Sequence, residues 1–168
     1  MDECRRHRAA SQCAVVAAWN NRLPHTSALV IGAHRDHFGR QGGLLFAGAD
    51  DNASGTAVLL EVARVLASAP TLPLHPILFV SFSGEEQGLI GSREYVAHPP
   101  IPLNSTMAMI NVDHAGTGNG RLTVGVTDLD KQRAQAAGQA AQLEDRIDLF
   151  GFFLGETMSH SKKQVCRL

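Results

Sequence analysis

From residue 28 onward, short apolar runs rich in Val, Ile and Phe alternate with segments whose apolar residues recur at helical spacing. That alternation restricts the chain to strands and helices interleaved about a mostly parallel sheet. Residues 28–32, 77–82, 107–112 and 122–126 read as strands. The first two are almost continuously apolar, as strands covered on both faces are. Between them, residues 54–67 carry Val58, Leu59, Val62, Val65 and Leu66 on one helical face. Asn52 or Ser54 is placed to cap that helix, and Pro70 lies just past its end. Residues 89–98, closed by Pro99 and Pro100, and the Ala/Gln-rich residues 129–142 are expected to be helices as well. The expected fold class is α/β, a three-layer sandwich with a mostly parallel central sheet.

A length of 168 residues suits one domain with its own core, and 44% hydrophobic against 18% charged residues is the balance of a globular protein. Formal net charge is -1, so no global field draws the chain to nucleic acid or to an anionic membrane. The arginines at 5, 6 and 8 read as a solvated terminal run. No apolar run approaches membrane-spanning length, and the apolar stretch 13–19 is short for a signal-peptide core. Cys4, Cys13 and Cys166 show no C-x-x-C spacing, which points away from a disulfide framework and from a thiolate zinc site. Residues 1–27 and 156–168 lack a clear period and are expected to lie outside the organised unit, 28–155.

Four segments place carboxylates or imidazoles at strand ends, where open α/β sheets build their sites. They are Gly32-Ala33-His34-Arg35-Asp36-His37, Gly48-Ala49-Asp50-Asp51-Asn52, Ser83-Gly84-Glu85-Glu86-Gln87 and Asn111-Val112-Asp113-His114. Acids directly after apolar strands need a partner, and a divalent cation can serve several at once. Helix capping explains any one of these segments equally well, because Asp50 and Asp51 precede one helix and Glu85 and Glu86 another. Capping does not explain four segments of the same character. Asp36 is spaced to orient the imidazole of His34 from behind, as ligating histidines require. In the pair Glu85-Glu86 one carboxylate can hold a metal while the other accepts a proton, and spacing alone leaves open which does which. His37 and His114 lie close by without independent support as ligands, and the remaining histidines read as surface residues.

The four motifs, in this order and spacing, resemble the co-catalytic zinc aminopeptidases of the aminopeptidase Y and bacterial leucyl aminopeptidase type, metallopeptidase family twenty-eight. The resemblance runs from about residue 28 to residue 155 and implies a phosphorylase/hydrolase-like zinc-peptidase fold acting on peptide substrates. It implies that Asp50 bridges two zinc ions, that His34 and Asp113 complete one shell, and that Glu86 holds the other ion. Glu85 is then the general base, Asp36 the carboxylate behind His34, and Asp51 the partner in a cis Asp50–Asp51 peptide. Oxygen-rich ligation also admits manganese or cobalt.

The chain departs from the family pattern in one place. The fifth ligand, a histidine in a Tyr-His-x-x-x-Asp-Thr-like segment downstream of Asp113, has no counterpart in the sequence. The ion held by Glu86 is therefore expected to lack its imidazole, the domain to be incomplete at its carboxy-terminal end, and activity to be impaired. Back-translated with permitted codons and one added G, the tail from Glu156 restores a Gly-Asp-His-Val-Pro-Phe stretch of the family type, so residues 156–168 are read as a slipped frame. The rival expectations are a non-catalytic metal-binding remnant and another reaction on the same scaffold, such as glutaminyl cyclisation.

Overall fold

The computed structural model describes residues 15–19, 27–126, 131–151 and 166–167. Its largest element is a five-stranded sheet in the order β1 (Val15–Trp19), β5 (Ile77–Phe82), β2 (Ala28–His34), β6 (Thr106–Asn111) and β9 (Cys166–Arg167). The pairings β5–β2, β2–β6 and β6–β9 are parallel, and β1 runs antiparallel along the edge of β5. The mixed α/β class with a mostly parallel sheet is as the apolar alternation predicts.

Burial follows from the two-residue period of a strand. Ala28 and Val30 of β2 pack with Leu78, Val80 and Phe82 of β5. This cluster is joined by Tyr95 and Val96 of α2 (Ile90–Ala97), and the Phe82 and Tyr95 rings meet edge to face at 5.9 Å. The alternate residues, Ile31 and Ala33 with Ile77 and Phe79, pack against Leu59, Val62, Ala63 and Leu66 of α1 (Gly55–Ala67). Both faces of β2 and β5 are thus apolar, which is why those strands read as continuous apolar runs.

Three features differ from the sequence reading. β1 falls in a stretch expected to be irregular. The hairpin of β3 (Gly39–Gln41) and β4 (Leu44–Phe46) is too short to show a period. β7 (Leu122–Val126), expected in the main sheet, instead pairs in parallel with β8 (Ile147–Gly151) as a separate two-stranded sheet, while β9 occupies the edge of β6. The Ala/Gln-rich helix is α3 (Lys131–Ala140), and the start assigned to it at Leu129 lies outside the described residues, as does the tail from 156 to 165. No helix among the described residues is long and apolar enough to cross a membrane.

Candidate metal centre

Parallel strands in register end at one edge of a sheet, and here that edge collects the polar segments. His34, the last residue of β2, lies beside Phe82, the last of β5, and Gly32 lies beside Asn111, the last of β6. The residues that follow each strand emerge together: Asp36 and His37 after β2, Glu85 and Glu86 after β5, Asp113 after β6. The segment before α1 reaches the same edge, since the Thr56 hydroxyl donates to the His34 carbonyl at 3.1 Å.

His34 is only 2% exposed, so its ring nitrogens must find partners in the protein. Nδ1 lies 3.1 Å from the Asp36 carbonyl oxygen and 3.8 Å from its carboxylate. Donation from Nδ1–H to that carbonyl fixes the tautomer that leaves the Nε2 lone pair free. Nε2 faces Asp51 Oδ1 at 3.1 Å and Asp113 Oδ1 at 3.3 Å, and neither Nε2 nor Asp113 Oδ1 has a hydrogen-bond partner although both are buried. Donor atoms on a tetrahedral shell of radius about 2.1 Å stand about 3.4 Å apart. The two distances from His34 Nε2 therefore match those between ligands of one small divalent cation.

A second group shares Asp51. Its other oxygen, Oδ2, lies 3.8 Å from His37 Nδ1, which in turn is 2.5 Å from Glu86 Oε1. Both His37 Nδ1 and Glu86 Oε1 are buried without a hydrogen-bond partner. Within each of the two groups, His34–Asp51–Asp113 and His37–Asp51–Glu86, the donor atoms lie within 4.8 Å of one another.

Asp50, expected to be the shared carboxylate, belongs to neither group. Its Oδ1 accepts the Gly116 N–H at 2.8 Å and its Oδ2 accepts the Thr117 hydroxyl at 2.7 Å. Those bonds, the Thr117 hydroxyl foremost, hold its pKa below the ordinary carboxylate value. Consecutive side chains in this irregular turn point in different directions, so one acid faces the centre and the other faces the loop after Asp113. The cis peptide expected at Asp50–Asp51 is likewise one residue further on, at Asp51–Asn52. Asn52 is 1% exposed and fastens the turn from within: its Nδ2 donates to the Val112 carbonyl at 2.9 Å and its Oδ1 accepts the Gly55 N–H at 2.9 Å. Of the two caps considered for α1, Asn52 is the one whose side chain makes the bond.

Of Glu85 and Glu86, Glu86 falls in the second group and Glu85 in neither. The Glu85 N–H donates to Asp36 Oδ1 at 3.3 Å, so Asp36 joins the His34 imidazole to the loop that carries both glutamates. His37 and His114 are the residues the sequence left without a role. His114 Nε2 approaches Asp51 and Asp113 at 3.5 and 3.8 Å from an exposed position. No sequence signal marks His37; in the structure it lies against Gly48, whose φ of 68° any side chain would strain and whose added Cβ would stand 2.5 Å from His37 Cβ. The histidine is packed closely against the turn that delivers Asp51.

Comparison with known proteins gives concordant results. Residues 14–159 match the model of Peptidase family M28. Aminopeptidase YwaD of Bacillus subtilis is 46% identical over 71 residues, 42% of this chain and 15% of that protein. The structure of LapA aminopeptidase from Legionella pneumophila superposes with a TM-score of 0.64 at 28% identity, covering 81% of this chain and 36% of the other. Glutaminyl cyclase of Porphyromonas gingivalis shares the fold, with a TM-score of 0.65 at 22% identity over 83% of this chain and 56% of the other. The chain spans less than a third of the length of curated relatives that it matches.

Proposed function

The chain belongs to peptidase family M28, and from that premise we propose that it forms the metal-binding part of a zinc-dependent aminopeptidase, which releases the amino-terminal residue of a peptide. The observation that carries this reading is the position of Asp51, whose two oxygens face two separate groups of donors. Each group offers three protein ligands of mixed imidazole and carboxylate type, the number and kind that hold catalytic zinc with one place open. His34, Asp51 and Asp113 would hold one ion; Asp51 and Glu86 would hold the other. Manganese or cobalt is compatible with the same oxygen-rich set.

When bound, divalent ions supply Lewis acidity at the scissile carbonyl and acidify water. The remaining chemistry belongs to the chain. Glu85, next to the ligating Glu86 yet outside both donor groups, accepts the proton of the attacking water and returns it to the leaving amine. Asp36 keeps that base in place through the Glu85 N–H and, through its carbonyl, keeps the His34 lone pair turned toward Asp51 and Asp113.

Aminoacyl-nitroanilide hydrolysis by the zinc-loaded chain, with N-acetylated and amino-terminal glutaminyl substrates in parallel, tests the reading. Turnover of the free-amine substrate is expected, with loss on N-acetylation. Glu85→Gln should retain zinc and lower kcat by about 10²–10⁴-fold. Zinc binding without turnover would instead favour a non-catalytic metal-binding role, and ring closure of the glutaminyl substrate a cyclase.

A further inference from the structure

We propose that His37 is the imidazole ligand of the second metal position, so that this position is completed by a residue three places after the ligand of the first. The proposal rests on the metal-centre reading above and names a residue to which the family resemblance gives no role.

Position comes first. His37 Nδ1 lies 2.5 Å from Glu86 Oε1 and 3.8 Å from Asp51 Oδ2, so it closes a triangle with the two carboxylates that already face this side of the centre. His114 is the other imidazole nearby, but it approaches Asp50, Asp51 and Asp113 and not Glu86, and its side chain is 57% exposed against 19% for His37. Among the described residues His37 is the only imidazole that shares a group with Glu86.

Unsatisfied polarity comes second. His37 Nδ1 and Glu86 Oε1 are buried and have no hydrogen-bond partner, as are His34 Nε2 and Asp113 Oδ1 across the shared Asp51. Four orphaned donor atoms from three segments, arranged around both oxygens of one carboxylate, are costly unless cations lie between them. The first group sets the standard, because its histidine is 2% exposed and aimed at the same Asp51.

Fixation comes third. The close approach that an added Cβ at Gly48 would make to His37 Cβ, and the edge contact of the His37 ring with Phe38 at 5.0 Å, restrict where this imidazole can point. Its backbone is tethered three residues earlier by the buried His34. An imidazole held in this way loses little freedom on binding a metal. Ligation by His37 therefore gives each position one imidazole and one private carboxylate, with Asp51 in common.

The test is zinc titration of the chain by calorimetry, with cobalt(II) absorption as a second readout that reports coordination without turnover. The wild type is expected to take two equivalents. His37→Gln should keep the equivalent held by His34, Asp51 and Asp113 and weaken the other by at least about 100-fold. Glu86→Gln, which leaves the His37 packing intact, should weaken that same equivalent. His34→Gln should weaken the opposite one. Two tight equivalents in folded His37→Gln would overturn the proposal alone. A wild type that takes one equivalent, insensitive to both His37→Gln and Glu86→Gln, would also overturn it, while a wild type that takes none would overturn the metal-centre reading itself. Should His37→Gln fail to fold, a cobalt spectrum of Glu86→Gln identical to that of the wild type at two equivalents decides against the proposal.

Discussion

Asp50 and Asp51 are chemically identical neighbours with opposite duties. Asp51 presents one oxygen to each donor group, whereas Asp50 spends both of its oxygens on Gly116 and Thr117 and thereby holds the loop after Asp113 against the turn before α1. The Ser54 hydroxyl reinforces that junction by donating to the Asp50 carbonyl at 2.6 Å and accepting the Ala115 N–H at 2.9 Å. Removing charge from the two positions should therefore have different effects. Asp51→Asn is expected to lower zinc affinity at both positions, by at least about 100-fold, because it withdraws a ligand from each. Asp50→Asn should leave two equivalents in place and loosen the 114–117 loop instead. Calorimetric stoichiometry of the two variants checks this, and a loss of both equivalents in Asp50→Asn would return the bridging role to Asp50. The same pair marks the limit of what residue types reveal. Acids clustered after separate strands announce a cation centre, but a one-residue choice inside an irregular turn depends on loop hydrogen bonds that no periodicity encodes. Asp36, His34, Glu86 and Asp113 could be singled out in the sequence because each lies at or shortly after a strand end that the apolar runs define. His37 could not, since its part depends on how far the chain bends after β2.

At the scale of elements, legibility followed apolar pattern. β2 and β5 bury both faces, α1 packs Leu59, Val62, Ala63 and Leu66 on the sheet while Val58 and Val65 of its expected face stay exposed, and all three were placed to within two residues. β1 was read as a featureless terminal stretch because an edge strand needs little beyond its ladder, and β3 and β4 span three residues each. β7 was recognised as a strand but assigned to the wrong sheet, since pattern reveals a strand and not its partner. Its actual partner, β8, is secured by a fork of charge: Arg121 Nε donates to Asp148 Oδ2 at 2.6 Å, and its Nη1 donates to the Asp145 carbonyl at 2.9 Å. The Arg121 guanidinium holds the Asp148 carboxyl below its ordinary value. A depressed carboxylate pKa contributes stability that is fully present above the unfolded value of about 3.9 and is lost as pH falls through the folded value. Asp148→Asn should accordingly lower the urea midpoint slightly at pH about 6, by an amount that shrinks as pH falls through the folded value of Asp148. The effect should be small and should shrink in high salt, because the pair is exposed. A difference that persists unchanged at low pH would assign the contribution to packing.

The centre joins the parallel strands of the main sheet to α1, because its donors come from four segments between His34 and Asp113 that meet only when β2, β5 and β6 are paired and α1 is docked. Asp51, Glu86 and Asp113 converge there, and with no cation among them their mutual repulsion opposes the docking of the loops that carry them. The unfolded chain has no preformed site, so the free energy of metal binding appears as folding free energy. At a free zinc concentration 100-fold above Kd, one site adds about 2.7 kcal/mol. For a chain of this size that corresponds to about 5–10 °C in Tm. Chelation is therefore expected to lower Tm by at least this amount, and readdition of zinc to restore it. His34→Gln, which takes a ligand from one position, should retain part of the shift. Asp51→Asn should abolish nearly all of it, since both positions draw on that carboxylate. A melting temperature indifferent to chelator in the wild type would mean that the four segments are held at the sheet edge by the strands and Asn52 alone, with no ion contributing to the fold.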